Sequence, residues 1–260
     1  MKPAGGLLLT LAALAVAAPA SAGPWTLPRG DGQVIVKFED MRADQGFDLD
    51  GEPVDLLADR RDTSVSVFAE YGLTRRLTVR FKGDWQSGED AFVDYEGRGP
   101  LEIGLNWQVW RDDKTAVALY GGVADGGEGR NAGYAPPGVG GQDWEMRAAV
   151  GRSFGPSRWV YPGATGGFVT LEAARRMRGG LPDETRLDAT FGVHFGDKWM
   201  LLNQAYAGQA DDGDARWLSL ETSLVRHFGA WSVQAGWREA VAGRETPRSG
   251  GPVLGLWRRF

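Results

Sequence analysis

The sequence predicts an all-β fold, a twelve-stranded antiparallel transmembrane β-barrel of the up-and-down kind. Three observations predict it. Apolar and polar residues alternate with a period of two along most of the chain. The segments patterned in this way are close to the ~9–11 residues that a tilted membrane strand needs. The connections between them alternate short and long. A two-residue repeat belongs to a strand and not to a helix. It is cleanest over 76–86, where Leu77, Val79, Phe81, Gly83 and Trp85 share one face, and Arg76, Thr78, Arg80, Lys82, Asp84 and Gln86 the other. The stretches 101–110 and 186–195 repeat the pattern.

From the amino terminus, Lys2 precedes an apolar run, Leu7 to Ala18, broken only by Thr10. Pro19 follows, and Ala20-Ser21-Ala22 forms an A-x-A site before Gly23. This is the three-part pattern of a cleaved secretory signal peptide over 1–22. The run is too short to anchor the chain by spanning ~30 Å of hydrocarbon. Residues 23–32 then read as a short periplasmic segment, and 33–260 as the barrel domain.

Twelve strands follow, near 33–43, 63–72, 75–86, 100–110, 115–124, 142–154, 165–177, 184–195, 199–208, 215–228, 231–241 and 252–260. The start of the seventh is the least regular, because Pro162 and three glycines surround it and part of 156–166 suits an irregular turn. The connections at 72–74, 111–114, 196–198 and 229–230 are tight. Those at 44–62, 87–99, 125–141, 178–183, 209–214 and 242–251 are longer and carry most of the Asp, Glu, Pro and Gly. Bacterial barrels have short periplasmic turns, long external loops and an even strand number, so the long set is expected to face outside.

Composition agrees. The chain has 260 residues, 39 of them Gly and 11 Trp, with no Cys and a net charge of −5. Lacking Cys, it forms no disulfide and takes no lipid on a lipoprotein cysteine. Its mild negative charge does not suggest nucleic-acid binding. Beyond the first run, no stretch of 18 apolar residues exists, which excludes a helical membrane protein. Mean hydropathy is negative at −0.31, as in barrels that turn polar side chains inward.

Phe154, Phe195 and Phe228 each precede a glycine at a strand end, and Trp159, Trp199 and Trp231 open the next strand. Such rings favour the headgroup level and predict a girdle at the periplasmic rim. Trp85, Trp144, Trp217 and Trp237 are expected to form the outer one. At the carboxyl end, Leu254, Leu256 and Phe260 alternate, and Trp257-Arg258-Arg259-Phe260 closes on an aromatic residue. This ending resembles that of Gram-negative outer-membrane barrels. The resemblance implies an outer-membrane location, contact with outer-membrane lipid, and Phe260 as part of the signal read by the barrel-assembly machinery. The segment from Glu70 to Val79, Glu-Tyr-Gly-Leu-Thr-Arg-Arg-Leu-Thr-Val, is similar to a turn in the family associated with meta-pathway phenol degradation, described as outer-membrane transporters. No catalytic or ligand residue comes over from it.

The expected lumen wall carries both signs of charge: Arg76, Arg80, Lys82, Glu102, Glu145, Arg147, Glu172, Arg176, Arg186 and Asp188. Glu70 belongs to the same inward set. Twelve strands give a radius of about 12 Å, room for a narrow channel at most. The charges suit a polar pore for small solutes, or ion pairs that fill a structural barrel. The basic members would favour anions if they converged; balance against the four carboxylates is the simpler reading. Arg80 and Lys82, with Glu102 opposite on the adjacent strand, are the first choice for the wall.

A barrel enzyme is the third class. It needs a base beside its nucleophile, and the local sequence around His194 offers no Ser. The closely spaced His and Ser of the twelve-stranded outer-membrane phospholipase are absent. His194 therefore reads as a polar lumen residue. Asp48-Leu49-Asp50-Gly51-Glu52 lacks the full calcium-loop spacing, and 211–214 reads as an acidic turn. The glycines from Gly121 to Gly141 lack phosphate-loop context, although 125–141 is long enough to fold over a pore mouth. No cofactor and no metal is expected. Intact-mass measurement of the exported protein is expected to place the mature amino terminus at Gly23; a mass retaining residues 1–22 would contradict the cleavage.

Overall fold

The computed structural model describes residues 23–156, 161–211 and 215–260. The signal-peptide reading and Trp159 lie outside these residues. Among the described residues fourteen strands form: β1 (Gly32–Phe47), β2 (Pro53–Gly72), β3 (Leu77–Glu89), β4 (Asp94–Arg98), β5 (Leu101–Arg111), β6 (Thr115–Asp125), β7 (Gln142–Phe154), β8 (Gly166–Met177), β9 (Glu184–Phe195), β10 (Trp199–Ala210), β11 (Arg216–Phe228), β12 (Trp231–Arg244), β13 (Thr246–Pro247) and β14 (Gly250–Arg259). Twelve of them make a closed antiparallel wall in chain order. β4 pairs only with the far end of β3, and β13 only with the far end of β1.

The wall closes where β1 pairs with β2 on one side and β14 on the other, from Gln33 opposite Arg259 to Arg42 opposite Gly250. Gly32 and Phe260 exchange two backbone hydrogen bonds, 2.7 and 3.0 Å, and lock both chain ends together. The Phe260 ring occupies the place where a side chain on Gly32 would stand. Closure pairs every strand on both sides, the condition for backbone to cross hydrocarbon without unsatisfied groups.

Side-chain polarity is inverted relative to a soluble domain. On β5, Leu101, Ile103, Leu105 and Trp107 are exposed on the outer face, and Glu102, Asn106 and Gln108 are buried within. The same inversion gives an outer apolar band that includes Phe81, Leu119, Val150, Leu171, Leu187, Leu224 and Leu254. Trp85, Trp144 and Trp237 lie exposed on the outer surface.

One end carries the short turns and both chain ends. Gly229, at φ 62°, opens the two-residue link between β11 and β12, where a positive φ suits the twist of a tight hairpin. In the β5–β6 turn the backbone amides of Lys114 and Thr115 donate to Asp112 and hold its carboxyl below the usual carboxylate range.

The other end differs from expectation in two places. Residues 44–62 are not an irregular loop: β1 and β2 run on as a hairpin closed by a tight turn. There Asp48 Oδ1 accepts the amides of Asp50 and Glu52, each at 2.9 Å. Alternation weakens there because both faces project beyond the apolar band. Residues 87–99 are likewise mostly a hairpin, between β3 and β4.

Leu105→Arg, on the outer face, is expected to cost about 2–4 kcal/mol of folding stability in a bilayer. Thr190→Arg, on the inner face, is expected to cost less. Urea midpoints in lipid vesicles measure both, and equal losses would contradict the assigned faces.

Candidate functional site

The lumen changes character along its axis. At the short-turn end it is filled by Trp25, Ala116, Phe168, Met200, Leu202, Val225 and Trp257, all buried. Trp25 belongs to no strand. The segment from Gly23 to Leu27 lies inside the barrel and does not hang below it as a separate segment, the expectation from sequence. Arg80 Nη2 donates to the Gly23 carbonyl at 2.7 Å and Gln108 Nε2 to that of Pro24 at 3.0 Å. Thr26 Oγ1 donates to the Arg75 carbonyl and the Leu27 amide to Thr78 Oγ1. The Trp25 indole meets Phe168 edge-on, with ring centres 6.1 Å apart. It rests on Gly151, where any side chain would collide with the ring. The tight turn after β2 and small residues at selected inner positions leave the segment its space.

Above this floor lies a cavity of about 800 Å³. Its β5–β9 wall is a continuous network of ion pairs. Arg147 binds Glu145 at 3.0 Å, Glu172 at 3.0 Å and Asp188 at 2.7 Å. Arg176 binds Asp143 at 2.9 Å and Glu102 at 3.4 Å, and Tyr120 donates to Glu102 at 2.7 Å. Arg178 and Arg186 share Glu184. Across the barrel a second group joins Lys37 and Arg238 to Glu39 and Glu221, with the Arg238 guanidinium 4.8 Å from the Tyr206 ring centre. Buried charges are tolerated when paired and hydrogen-bonded: the register sets Glu145 opposite Arg176, and the like-charged Glu172 and Asp188, opposite one another, share the guanidinium of Arg147.

Residues Gly126 to Gly141 roof the cavity. Arg130 reaches Asp62 at 3.0 Å, binds Asp90, and lies 5.0 Å from the centre of the Tyr95 ring. Asn131 donates to the Val139 carbonyl, and its own carbonyl accepts from Arg178. Tyr134 donates to Glu184 at 2.7 Å and stacks on Trp217 at 6.0 Å. Partial burial opposes ionisation of Asp90, yet the amides of Phe92 and Val93 and the Arg130 guanidinium outweigh it and hold this carboxyl below its usual range.

Nine of the ten wall residues expected from sequence line this cavity: Arg80, Lys82, Glu102, Glu145, Arg147, Glu172, Arg176, Arg186 and Asp188. Arg76 does not. It stands exposed in the turn before β3, because the strand begins one residue later, at Leu77. Arg80 and Lys82 also part company. Arg80 is buried against Glu70 at 2.8 Å, whereas Lys82 is exposed to the cavity and has no ion pair among the described residues. Glu102 does stand opposite Lys82 in register.

Trp217 is not part of an outer girdle. It shares parity with the buried Glu221 and Ser223, so it turns inward under Tyr134 and fills the space over Gly208. Its parity in β11 was the available signal. His194 contacts Phe168, with ring centres 6.2 Å apart. His227 faces Ser232 at 2.8 Å across the β11–β12 hairpin, with Ser232 buried. Asp143, Arg178, Glu184, Glu39, Glu221 and Arg238 complete the networks and were not singled out from sequence. Strand parity identifies most of them; only the fold reveals that Arg130 returns from its loop.

A closed twelve-stranded antiparallel barrel with a charged interior and an apolar outer band has the architecture of an outer-membrane β-barrel. Solved structures share it. The chain is similar to an outer membrane channel from Pseudomonas putida F1, with TM-score 0.63 and 14% identity, covering 91% of this chain and 98% of that one. It is also similar to the KdgM porin, with TM-score 0.54 and 7% identity, covering 87% and 99%. The translocator domain of the autotransporter NalP from Neisseria meningitidis matches with TM-score 0.51 and 12% identity, covering 90% of each chain. No protein-family model and no curated protein matches the sequence.

Arg147→Ala leaves three carboxylates short of their shared partner and is expected to destabilise the barrel by about 3–5 kcal/mol. A denaturation midpoint unchanged from wild type would show that the network carries no stability. For the roof, the low Asp90 pKa means that its pairing is complete above about pH 4 and is lost on acidification below that. Limited proteolysis within 126–141 should therefore rise at low pH, and Arg130→Ala should give the same cleavage at neutral pH.

Proposed function

We propose that the protein is an outer-membrane channel of a Gram-negative bacterium that passes small polar solutes through its charged lumen. The observation that carries this reading is the roughly 800 Å³ cavity, walled by ion pairs and entered by the exposed ammonium of Lys82. Side chains held in fixed pairs keep a wall polar without collapsing across it, and a charge facing water sets the field felt by a passing ion. The likeness to channel and porin structures supports the architecture; the same fold hosts an autotransporter translocator domain, so fold alone does not choose the task. On this reading the export signal at 1–22 is cleaved, outer-membrane lipid surrounds the apolar band, and the assembly machinery reads Phe260. Phe260 is exposed and able to be read.

A structural barrel with an occluded lumen is the second reading. What favours it is the apolar floor, which fills the short-turn end and interrupts any continuous polar path. Single-channel recording of purified, folded protein separates the two. Lys82→Gln is expected to shift ion preference toward cations at a smaller cost in thermal stability than Arg80→Glu, because Lys82 is exposed to the cavity and lies opposite Glu102 without a close ion pair among the described residues. Arg80→Glu is expected instead to destabilise the barrel, since it sets a carboxylate against buried Glu70. Absence of conductance and of solute-driven liposome swelling, from protein with intact heat-modifiable gel migration and without its floor segment, would leave the structural reading.

A further inference from the structure

We propose that the lumen holds a subsite for small zwitterions, free amino acids above all, formed by the ammonium of Lys82 and the carboxylate of Asp84. The inference rests on the channel reading and names the class of solute that the cavity selects.

The charges lining the cavity are not all alike. Among the described residues, each of them takes part in an ion pair except Lys82 and Asp84. These two carry opposite sign. They lie two positions apart on β3, so the two-residue period turns both to the inner face, with about 7 Å between their attachment points. That spacing exceeds the ~4 Å reach of an ion pair, yet one small molecule can touch both groups.

Each group is held ready. Gln86 Nε2 donates to Asp84 Oδ2 at 2.6 Å, a neutral partner that orients the carboxylate and leaves its charge in place. Gln86 is itself fixed, because its Oε1 accepts the Arg130 amide of the roof at 2.8 Å. The other carboxylate oxygen, Asp84 Oδ1, lies over Gly99, where an added Cβ would stand 2.2 Å from it. Ser66 stands opposite Asp84 in register and brings a hydroxyl to the same cavity. Lys82 is exposed to the cavity between Phe68 on β2 and Glu102 on β5. Glu102 is already engaged by Arg176 and by the Tyr120 hydroxyl.

The arrangement discriminates by charge pattern. A lone anion drawn to Lys82 comes up against Asp84, and a lone cation drawn to Asp84 comes up against Lys82. A molecule that turns a carboxylate toward Lys82 and an ammonium toward Asp84 gives each a charge-assisted hydrogen bond in exchange for the water it loses. Repulsion of the singly charged competitor adds to attraction of the zwitterion, and specificity is the difference between the two. The remaining charges of the wall are committed to one another and surround this pair with a polar lining.

The probe is glycine, with acetate and methylammonium as its singly charged halves. Saturation-transfer NMR on the exported, folded protein in detergent measures binding, and liposome swelling in isosmotic glycine measures passage. The variants are Lys82→Gln and Asp84→Asn, each checked for folding by heat-modifiable migration. Wild type is expected to bind glycine severalfold better than either half, and each variant to lose that advantage. The changes are expected to cross: Asp84→Asn gains severalfold for acetate, and Lys82→Gln gains severalfold for methylammonium. A general loosening of the barrel does not produce opposite gains. Wild type that binds the three probes alike overturns the subsite, and so does a glycine preference that survives in both variants. Preferential glycine binding without swelling sustains the subsite and removes the channel reading. Swelling without preferential binding sustains the channel reading and removes the subsite.

Discussion

Everything in this protein follows from the closure of β1 on β14. A β-sheet with an open edge leaves backbone donors and acceptors unpaired, at a cost no apolar surrounding can offset. Joining Gly32 to Phe260 and Gln33 to Arg259 removes the edge. Once the sheet is a tube, the period of two sends alternate side chains to opposite faces. Leu101, Ile103 and Leu105 must face outward for Glu102 and Asn106 to face inward. No inward residue can choose bulk solvent without a path along the axis, so charges inside must satisfy one another. Antiparallel register sets where they meet: it places Glu145 beside Arg176 and lets one guanidinium, Arg147, serve three carboxylates on three strands.

Strand direction also explains the axial division of the lumen. Neighbouring strands run oppositely, so the short-turn end gathers the starts of β6, β8 and β10 and the ends of β11 and β14. Ala116, Phe168, Met200, Val225 and Trp257 occupy those positions and make an apolar disc. The charged residues of the same strands lie several residues farther along, toward the long connections. One tube thus contains a dry floor and a polar chamber, stacked by nothing more than position within each strand.

The strands, their pairing order and most of the inner wall were legible because each follows from alternation, a local property. The failures were of other kinds. Arg76 was misplaced because parity continues into a turn whose backbone has already left the sheet. Trp217 was placed by its distance from the strand end, although its parity with Glu221 pointed inward. Residues 44–62 read as a loop because a hairpin standing clear of the apolar band has no apolar face to alternate. The floor segment was hidden for a deeper reason. Gly23, Pro24 and Trp25 belong to no strand, and the partners that hold them, Arg80, Gln108 and Phe168, are distant in sequence.

Whether such a floor can open is a question of magnitude. Residues 23–27 make four hydrogen bonds to the wall, each worth about 1 kcal/mol net. Burying the Trp25 side chain adds about 3 kcal/mol. Ordering those five residues costs roughly 1–2 kcal/mol apiece in backbone freedom. The gains and the cost are of the same size, so the segment is held near balance, while the wall around it is fixed by twelve paired strands. Removing the Trp25 indole would open the centre of the apolar disc without disturbing a strand, because its neighbours Phe168, Met200 and Val225 remain anchored in β8, β10 and β11. The apolar floor thus owes its central ring to the segment that strand alternation does not govern.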